Sequence, residues 1–314
     1  MTRTQLRSLI AVSETGSVVG AAQRLFVSAA AVSAAIGSLE REIGVRLLER
    51  VGRGVRLTPA GELFVEYARR IEGLEEEALV RVRSLGDPEG GVLRIGAVAT
   101  VGEELLPRWL SAFRAVHPRV SVLLEVANKA RLLELLRAHR LDLVVAGRPP
   151  LGERLRIVAT RPHQLLLCAG ATWAKEWFGS ATRILPAEAE AVTWLKREEG
   201  SGTRASTDEV LAALEIQPPS LTIGSNLAIK RGVELGLGVA VLSSDLVARE
   251  LERGELVSLP LGPLPSVRRW CLIVSTEETP GPVAALVELL RASGDIEFPP
   301  ALTEAAERDD RGRP

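Results

Sequence analysis

The sequence predicts an α/β protein in three parts: an all-α head carrying a winged helix-turn-helix, a long connecting helix, and a larger two-lobed α/β unit. Three observations predict it. Residues 1–58 hold eight arginines and four glutamates, a net of +4, so the rest of the chain carries −5 of the total charge of −1. A seven-residue apolar repeat follows Thr58-Pro59. Beyond the turn-forming run Gly86-Asp87-Pro88-Glu89-Gly90-Gly91, strand-length apolar runs alternate with amphipathic stretches, the pattern of a parallel sheet. The expected divisions are a head at 1–58, a linker helix at 59–86, a hinge at 87–91 and a two-lobed domain at 92–298. Lobe I takes about 92–162 and 266–295, lobe II about 163–265. A charged tail, 299–314, is expected to be disordered. At 314 residues, 46% hydrophobic and 25% charged, the chain can bury several cores without disulfide or metal staples.

In the head, Leu6, Leu9, Ile10 and Val12 predict a first helix closed by Thr15-Gly16, and Ser17 caps a second through Ala21, Ala22 and Leu25. After the Phe26-Val27 turn, Ser28 caps a third helix whose Val32, Ile36, Leu39 and Ile43 recur at helical spacing until Gly44. Small Ala21 and Ala22 let the helices approach, with Leu25, Val27 and Val32 as the wedge, and the third helix starts free to enter a major groove. Leu47, Leu48, Val55 and Leu57 around Gly52-Arg53-Gly54 predict an arginine-bearing wing. Positive charge gathered in so small a module suits a phosphate-facing surface, and suits a solvated arginine-rich surface equally.

The run Ser17, Ala21, Ala22, Leu25, Ser28, Val32, Ser33, Ile36, Leu39, Glu40, Gly44, Leu47, Leu48, Arg50, Leu57, Thr58, Ala60, Gly61 resembles the DNA-binding domain of LysR-type transcriptional regulators. That family usually has glutamine or proline after the capping serine, where this chain has Ala29 and Ala30, with Ala34 and Ala35 further on. Alanine cannot hydrogen-bond a base edge, so only methyl packing against thymine remains at these positions. The expected DNA-facing set is Ser28, Ala29, Ala30 and Ser33 with the wing residues Arg50, Arg53 and Arg56. The serines meet phosphates, the arginines grip the backbone or minor groove, and DNA deformability supplies part of the specificity. Ser28 is expected to cap the helix as well.

Thr58-Pro59 starts the connecting helix. Phe64, Ile71, Ala78 and Leu85 repeat every seven residues, and Tyr67 and Leu74 fill a second seam until Arg81. This predicts a two-stranded coiled coil, hence a homodimer with two heads on a roughly palindromic duplex; a helix packed on its own domain is the alternative.

In the larger unit, strands are expected at Val92–Ala97, Val120–Val126, Leu141–Ala146, Leu165–Cys168, Val192–Leu195, Leu221–Gly224, Val239–Leu242 and Val267–Ser275, the last returning to lobe I. The region resembles the effector-binding domain of the same family, which shares its form with periplasmic solute-binding proteins. Ligands in open parallel sheets sit at the carboxyl ends of strands, against helix amino termini. By residue type alone Ser201 and Thr203 read as helix caps in a tight turn; the resemblance instead makes them, with Thr100, the expected direct ligands, with Gly202 exposing backbone and Arg204 adding charge. Asn128 and Asn226 stand at helix starts and serve equally as ligands or caps. Arg148 either meets an anion or pairs with Glu153, and stays outside the set. Trp194 is expected in the core.

The resemblance implies a DNA-binding regulator whose promoter binding or DNA bending is set by a small anionic metabolite between the lobes. The lettering is similar to a subgroup with regulators of carbon fixation and sulfur assimilation. The partners implied are double-stranded promoter DNA, the effector, a homodimer assembled into a homotetramer, and RNA polymerase as a candidate.

A transport-type solute-binding protein is the rival, opposed by the basic module and by an amino terminus without the apolar stretch of an export signal. No apolar run approaches the ~20 residues needed to span a bilayer. Cys168 and Cys271 make no disulfide framework, and His117, His139 and His163 fit no metal or triad spacing. Neither cofactor, metal nor catalysis is expected; Cys168, within an apolar run, reads as inert core. A reducing cytoplasm is the expected compartment.

Overall fold

Thr2 opens the first helix with a capping box shared with Gln5, and left-handed Gly16 closes it, giving α1 at Arg3–Thr15. Ser17 accepts from the Gly20 amide to start α2, Val18–Leu25. Ser28 accepts from the Ala31 amide to start α3, Ala29–Ile43, which left-handed Gly44 ends. The strands β1 (Leu48–Val51) and β2 (Gly54–Leu57) pair antiparallel as the wing, and α4 runs over Pro59–Ser84. This computed structural model describes residues 1–52, 54–84, 90–150, 155–179, 183–275 and 279–298. Arg53, Leu85, most of the turn-forming run, Glu153 and the tail at 299–314 lie outside the described residues.

Leu9, Val12, Ala21, Ala22, Val32, Ile36, Leu39 and Leu47 form one buried cluster, and Val65 of α4 completes it. Across a three-residue turn α2 and α3 are bent by 108°, within the helix-turn-helix range. Among the described residues no single helix is long and apolar enough to cross a membrane. Val27 does not serve as a wedge: it is exposed. Phe26 adopts a left-handed backbone (φ 57°) that turns the chain, and the Val27 amide closes onto the Ala22 carbonyl while Leu25 and Val32 fill the gap.

Buried Glu40 ties α3 to the wing. Its Oε1 accepts from the Leu47 and Leu48 amides at 2.8 and 3.1 Å, and its Oε2 meets Arg46 at 3.2 Å. Thr58 both accepts from the Gly61 amide and donates to the Arg46 carbonyl. A Cβ at Gly61 would come within 2.1 Å of the Leu47 carbonyl oxygen, so only glycine permits this approach of α4 to the wing.

Along α4 the expected seam is altered at its start. Phe64 is half-buried against the head core, and the exposed apolar stripe runs Leu63, Tyr67, Ile71, Leu74, Ala78 and Val82. A neighbouring face of the helix is used by α1, through Val65, Ala68 and the ion pairs Arg7–Glu72 and Arg3–Glu75.

The second unit is built on β3 (Gly91–Ala97), a π-helical turn (Val101–Leu105), α5 (Leu106–Val116), β4 (Val120–Val126), α6 (Lys129–Arg137), β5 (Leu143–Ala146) and β6 (Arg156–Gly170). There follow α7 (Ala171–Phe178), α8 (Pro186–Glu190), β7 (Trp194–Lys196), α9 (Gly202–Leu214), β8 (Ser220–Thr222), α10 (Asn226–Glu234) and β9 (Ala240–Ser243). The chain ends its described course with α11 (Ser244–Glu252), β10 (Leu256–Ser258), β11 (Ser266–Val274) and α12 (Gly281–Ala292).

The sheets are mixed rather than parallel. β3 pairs parallel with β4 and β5, and β7 with β8, but β6 and β11 are antiparallel to each other and to the strands beside them. The reason is that Leu165–Cys168 is the far end of one 15-residue strand, β6. Together β6 and β11 cross between the lobes, paired from Ser266↔Leu165 to Val274↔Arg156 with a register shift between Leu272 and Ile273. Each lobe has its own core: Leu93, Ile95, Trp109, Phe113, Leu143 and Leu272 in lobe I, and Leu167, Trp194, Val210, Leu211, Val239 and Val241 in lobe II.

Candidate functional site

On the head, the start of α3 is an open surface. Ser28, Ala30, Ser33 and Ala34 are exposed, with Ala29 half-buried. The Ser28 hydroxyl oxygen accepts from the Ala31 amide at 3.1 Å, which leaves its proton free to donate outward. Much of the head's positive charge is engaged internally: Arg3, Arg7, Arg24, Arg46 and Arg56 are each ion-paired with a glutamate. Arg56 forks onto Glu49 across the wing at 2.6 and 2.9 Å. Arg50, exposed opposite Val55, has no ion pair among the described residues, in contrast to Arg56.

In the sensor, three segments meet. Thr100 follows β3 of lobe I, Thr203 lies in the first turn of α9, and Asn226 begins α10, both helices belonging to lobe II. Asn226 Nδ2 donates to Thr100 Oγ1 at 3.1 Å and to Thr203 Oγ1 at 3.5 Å. Asn226 is not the helix cap: Ser225 is, accepting from the Ala228 amide. That frees the Asn226 amide to face the interlobe cluster, where its Oδ1 is buried without a hydrogen-bond partner. Ser201 is buried at the N-cap of α9, yet its hydroxyl makes no cap hydrogen bond, so the first-turn amides of this 13-residue helix receive nothing from it. Left-handed Gly200 shapes the approach, and Gly202 has nothing within 4 Å of where a Cβ would sit.

Two expected residues are placed otherwise. Arg204 does not offer free charge: it pairs with Asp208 at 2.7 Å, one helical turn on, and donates to the Arg197 carbonyl at 3.0 Å, so it fastens the loop ahead of α9. Asn128 is exposed and caps α6, its Oδ1 accepting from the Arg131 amide at 2.9 Å, and none of its described hydrogen bonds reaches the cluster. The charge near the cleft comes from other residues. Burial and then the like charge of Glu104 hold the Glu103 carboxyl above its ordinary range, while Arg197 and Lys230 of lobe II act against that rise. Arg197 is itself forked onto Glu198, and Lys230 pairs with Glu250.

Trp194 is fully buried and donates to the Ala189 carbonyl, as core. Burial pushes the Cys168 thiol up to about 12, which keeps it protonated and without nucleophilic use. Missed in the sequence is a buried group on the crossing strands. His163 stacks on Trp270 with ring centroids 4.0 Å apart and shares a 3.0 Å hydrogen bond with Ser243. Asp245 accepts from both the Trp270 indole and Arg161 at 2.8 Å. A histidine just ahead of the apolar run Leu165-Leu166-Leu167 is the one signal that could have found it.

Comparison with known proteins agrees with this arrangement. Residues 4–62 match the bacterial regulatory helix-turn-helix protein, lysR family, and residues 86–295 match the LysR substrate binding domain. The chain is 34% identical over 300 residues to the HTH-type transcriptional regulator CbbR of Cereibacter sphaeroides, covering 94% of each chain. It is 32% identical over 281 residues to the RuBisCO operon transcriptional regulator of Allochromatium vinosum, covering 89% of this chain and 92% of that one. Among solved structures, full-length CbnR complexed with its target DNA superposes with a TM-score of 0.66 at 26% identity, covering 93% of this chain and 100% of that one. A helix-turn-helix head with a wing, a long helix and a two-lobed α/β sensor thus come with matches across nearly the whole chain, and the protein belongs to the LysR family of transcriptional regulators.

Proposed function

We propose that this regulator acts as a dimer joined along α4, that its heads bind promoter DNA through the start of α3 and through Arg50, and that a small anionic metabolite taken between the lobes sets how the heads are held. The observation that carries the effector reading is the cluster of Thr100, Thr203 and Asn226 from both lobes. It gathers beside the uncapped start of α9 and includes a buried oxygen on Asn226 that lacks a donor. Open amides at a helix start favour an anion, and the orphan oxygen favours a ligand that also carries a hydroxyl or amine hydrogen. The exposed stripe Leu63, Tyr67, Ile71, Leu74, Ala78 and Val82 supports the dimer, since a two-stranded coil would bury it.

A ligand contacting both lobes better in one closure state shifts the sensor toward that state, and the dimer passes the shift to the DNA-binding heads. The name of the Allochromatium relative favours a carbon-fixation promoter as the target. Assembly of two dimers into a tetramer and contact with RNA polymerase belong to the same proposal.

The test is a thermal-shift screen of phosphorylated hydroxy acids, sulfate-like anions and small carboxylates. A ligand bound only by the folded sensor raises its melting temperature. The expected result is a shift that Thr203→Ala and Asn226→Ala each reduce. A shift left intact in both variants places the effector elsewhere. For DNA, Arg50→Ala should lower the salt dependence of binding by about one counterion and weaken all sequences alike. An unchanged salt slope removes Arg50 from the interface.

A further inference from the structure

Phe26 is the residue of the head that neither the fold nor the effector cleft accounts for. Its side chain is 95% exposed, the most open large hydrophobic side chain in the head. It also sits at φ 57°, a left-handed conformation that bulky L residues rarely adopt and that glycine would take without cost. The turn needs this backbone: the Phe26 amide meets the Ala22 and Gln23 carbonyls as α2 ends, and the Val27 amide follows onto Ala22. It does not need the ring. A strained backbone carrying an exposed aromatic is a combination kept for what the ring touches outside the fold.

The position supplies the partner. Phe26 stands two residues ahead of Ser28, the cap of α3, at the rim of the surface formed by Ala30, Ser33 and Ala34. That surface holds no long side chain, and a Cβ at Gly37, further along α3, would meet nothing within 4 Å. A helix face of small residues can sit deep in a major groove, which brings the turn before it against the groove wall. The groove wall offers an aromatic ring two apolar partners, the C5-methyl of thymine and the deoxyribose edge.

We propose that Phe26 is a DNA-contacting residue whose ring packs on this apolar edge of the duplex and supplies recognition that Ala29 and Ala30 cannot. The inference rests on the reading that the start of α3 enters the groove. No charge is involved, so the contact adds affinity without releasing counterions.

The experiment uses the full chain and a duplex selected from a random-sequence pool by the wild-type protein. Phe26→Gly should melt at or above the wild-type temperature, because it relieves the backbone, and should bind the duplex about tenfold more weakly at an unchanged salt slope. Phe26→Leu, which keeps an apolar side chain, should stay within about threefold of wild type. Uracil in place of thymine separates the two partners. A loss seen with wild type but not with Phe26→Gly identifies the methyl, and no loss in either identifies the sugar edge. The proposal is overturned if Phe26→Gly binds as wild type, or if its loss of affinity is matched by a fall in melting temperature. Arg50→Ala in the same assay keeps the failures apart: if its salt slope is also unchanged, the orientation of the head is wrong rather than the role of Phe26.

Discussion

The head surface and the interlobe cleft are assembled in opposite ways. The candidate DNA-facing residues lie between positions 26 and 56, are mostly exposed, and are held by a fold whose polar groups are satisfied beneath them. The cleft residues are 126 positions apart at the extremes, are buried (Thr100, Asn226) or half-buried (Thr203), and bond to one another across the lobes. The head therefore presents side chains outward from a rigid base. The cleft is a set of polar groups that currently serve as each other's partners and would exchange them for a ligand. Damage to the head should thus show as lost stability at its base, and damage to the cleft as lost binding with little lost stability.

The largest effect expected from this contrast is at Glu40. Its carboxylate accepts both the Leu47 and Leu48 amides and pairs with Arg46, so Glu40→Ala strands two backbone donors where α3 meets the wing. Hydrogen bonds to a charged acceptor contribute about 1.5–3 kcal/mol each, giving a loss of about 4 kcal/mol in the head's unfolding transition. Denaturant unfolding followed by a probe confined to the head measures it. A loss below about 1 kcal/mol would mean that the wing holds itself, and the rigid base is not built as described.

The second effect belongs to the sensor alone, since residues 1–88 contain no histidine. Burial is the main cause that lowers His163 from 6.5 to about 4, with Arg161 and Arg268 adding to it and Asp245 opposing. The unfolded chain therefore takes up the proton first. Between pH about 6.5 and about 4 it binds more protons than the folded state, so stability falls as pH falls through that window and is unaffected above it. The full depression corresponds to about 3 kcal/mol. Urea unfolding of wild type and His163→Gln at steps from pH 7 to 4.5 should give curves that converge toward acid. Parallel curves would show that the imidazole is not buried against Trp270 as the geometry has it.

What the sequence made legible follows the same division. The helix starts at Ser17, Ser28 and Thr58 and the stops at Gly16 and Gly44 are written in side chains that act within four residues, and all are found where expected. Phe26 lies in the turn as its place in the sequence predicts, but Val27 is not the wedge that an apolar residue inside a helix-turn-helix suggests, because the left-handed backbone at Phe26 turns it outward. The arginine count overstated the open charge of the head, because Glu72 and Glu75 of α4 lie beyond the module where the count ended. In the sensor, alternating strands and helices revealed two lobes but not the direction of β6, which depends on pairing with β11 more than a hundred residues away. Thr100, Thr203 and Asn226 were each legible as polar residues at helix starts. Ser225 rather than Asn226 making the cap, and Arg204 closing onto Asp208, are outcomes of hydrogen-bond competition that residue type does not decide.

The smallest effect is the sharpest test of the contrast. Asn226→Ala removes the hydrogen bond to Thr100 and the long, weak one to Thr203, a loss of about 1–2 kcal/mol, but it also removes a buried oxygen with no donor, whose burial costs about as much. The two nearly cancel, so the ligand-free sensor should keep its stability to within about 1 kcal/mol while losing its response to an anionic effector. That outcome is what a site held in readiness for a ligand requires: polar groups placed where they contribute little to the fold and much to an incoming donor. A loss approaching that at Glu40 would instead make the Thr100–Asn226 bond part of the sensor's framework. The interlobe cluster would then be an element of structure like the base of the head, and the effector would have to be sought at other walls of the cleft.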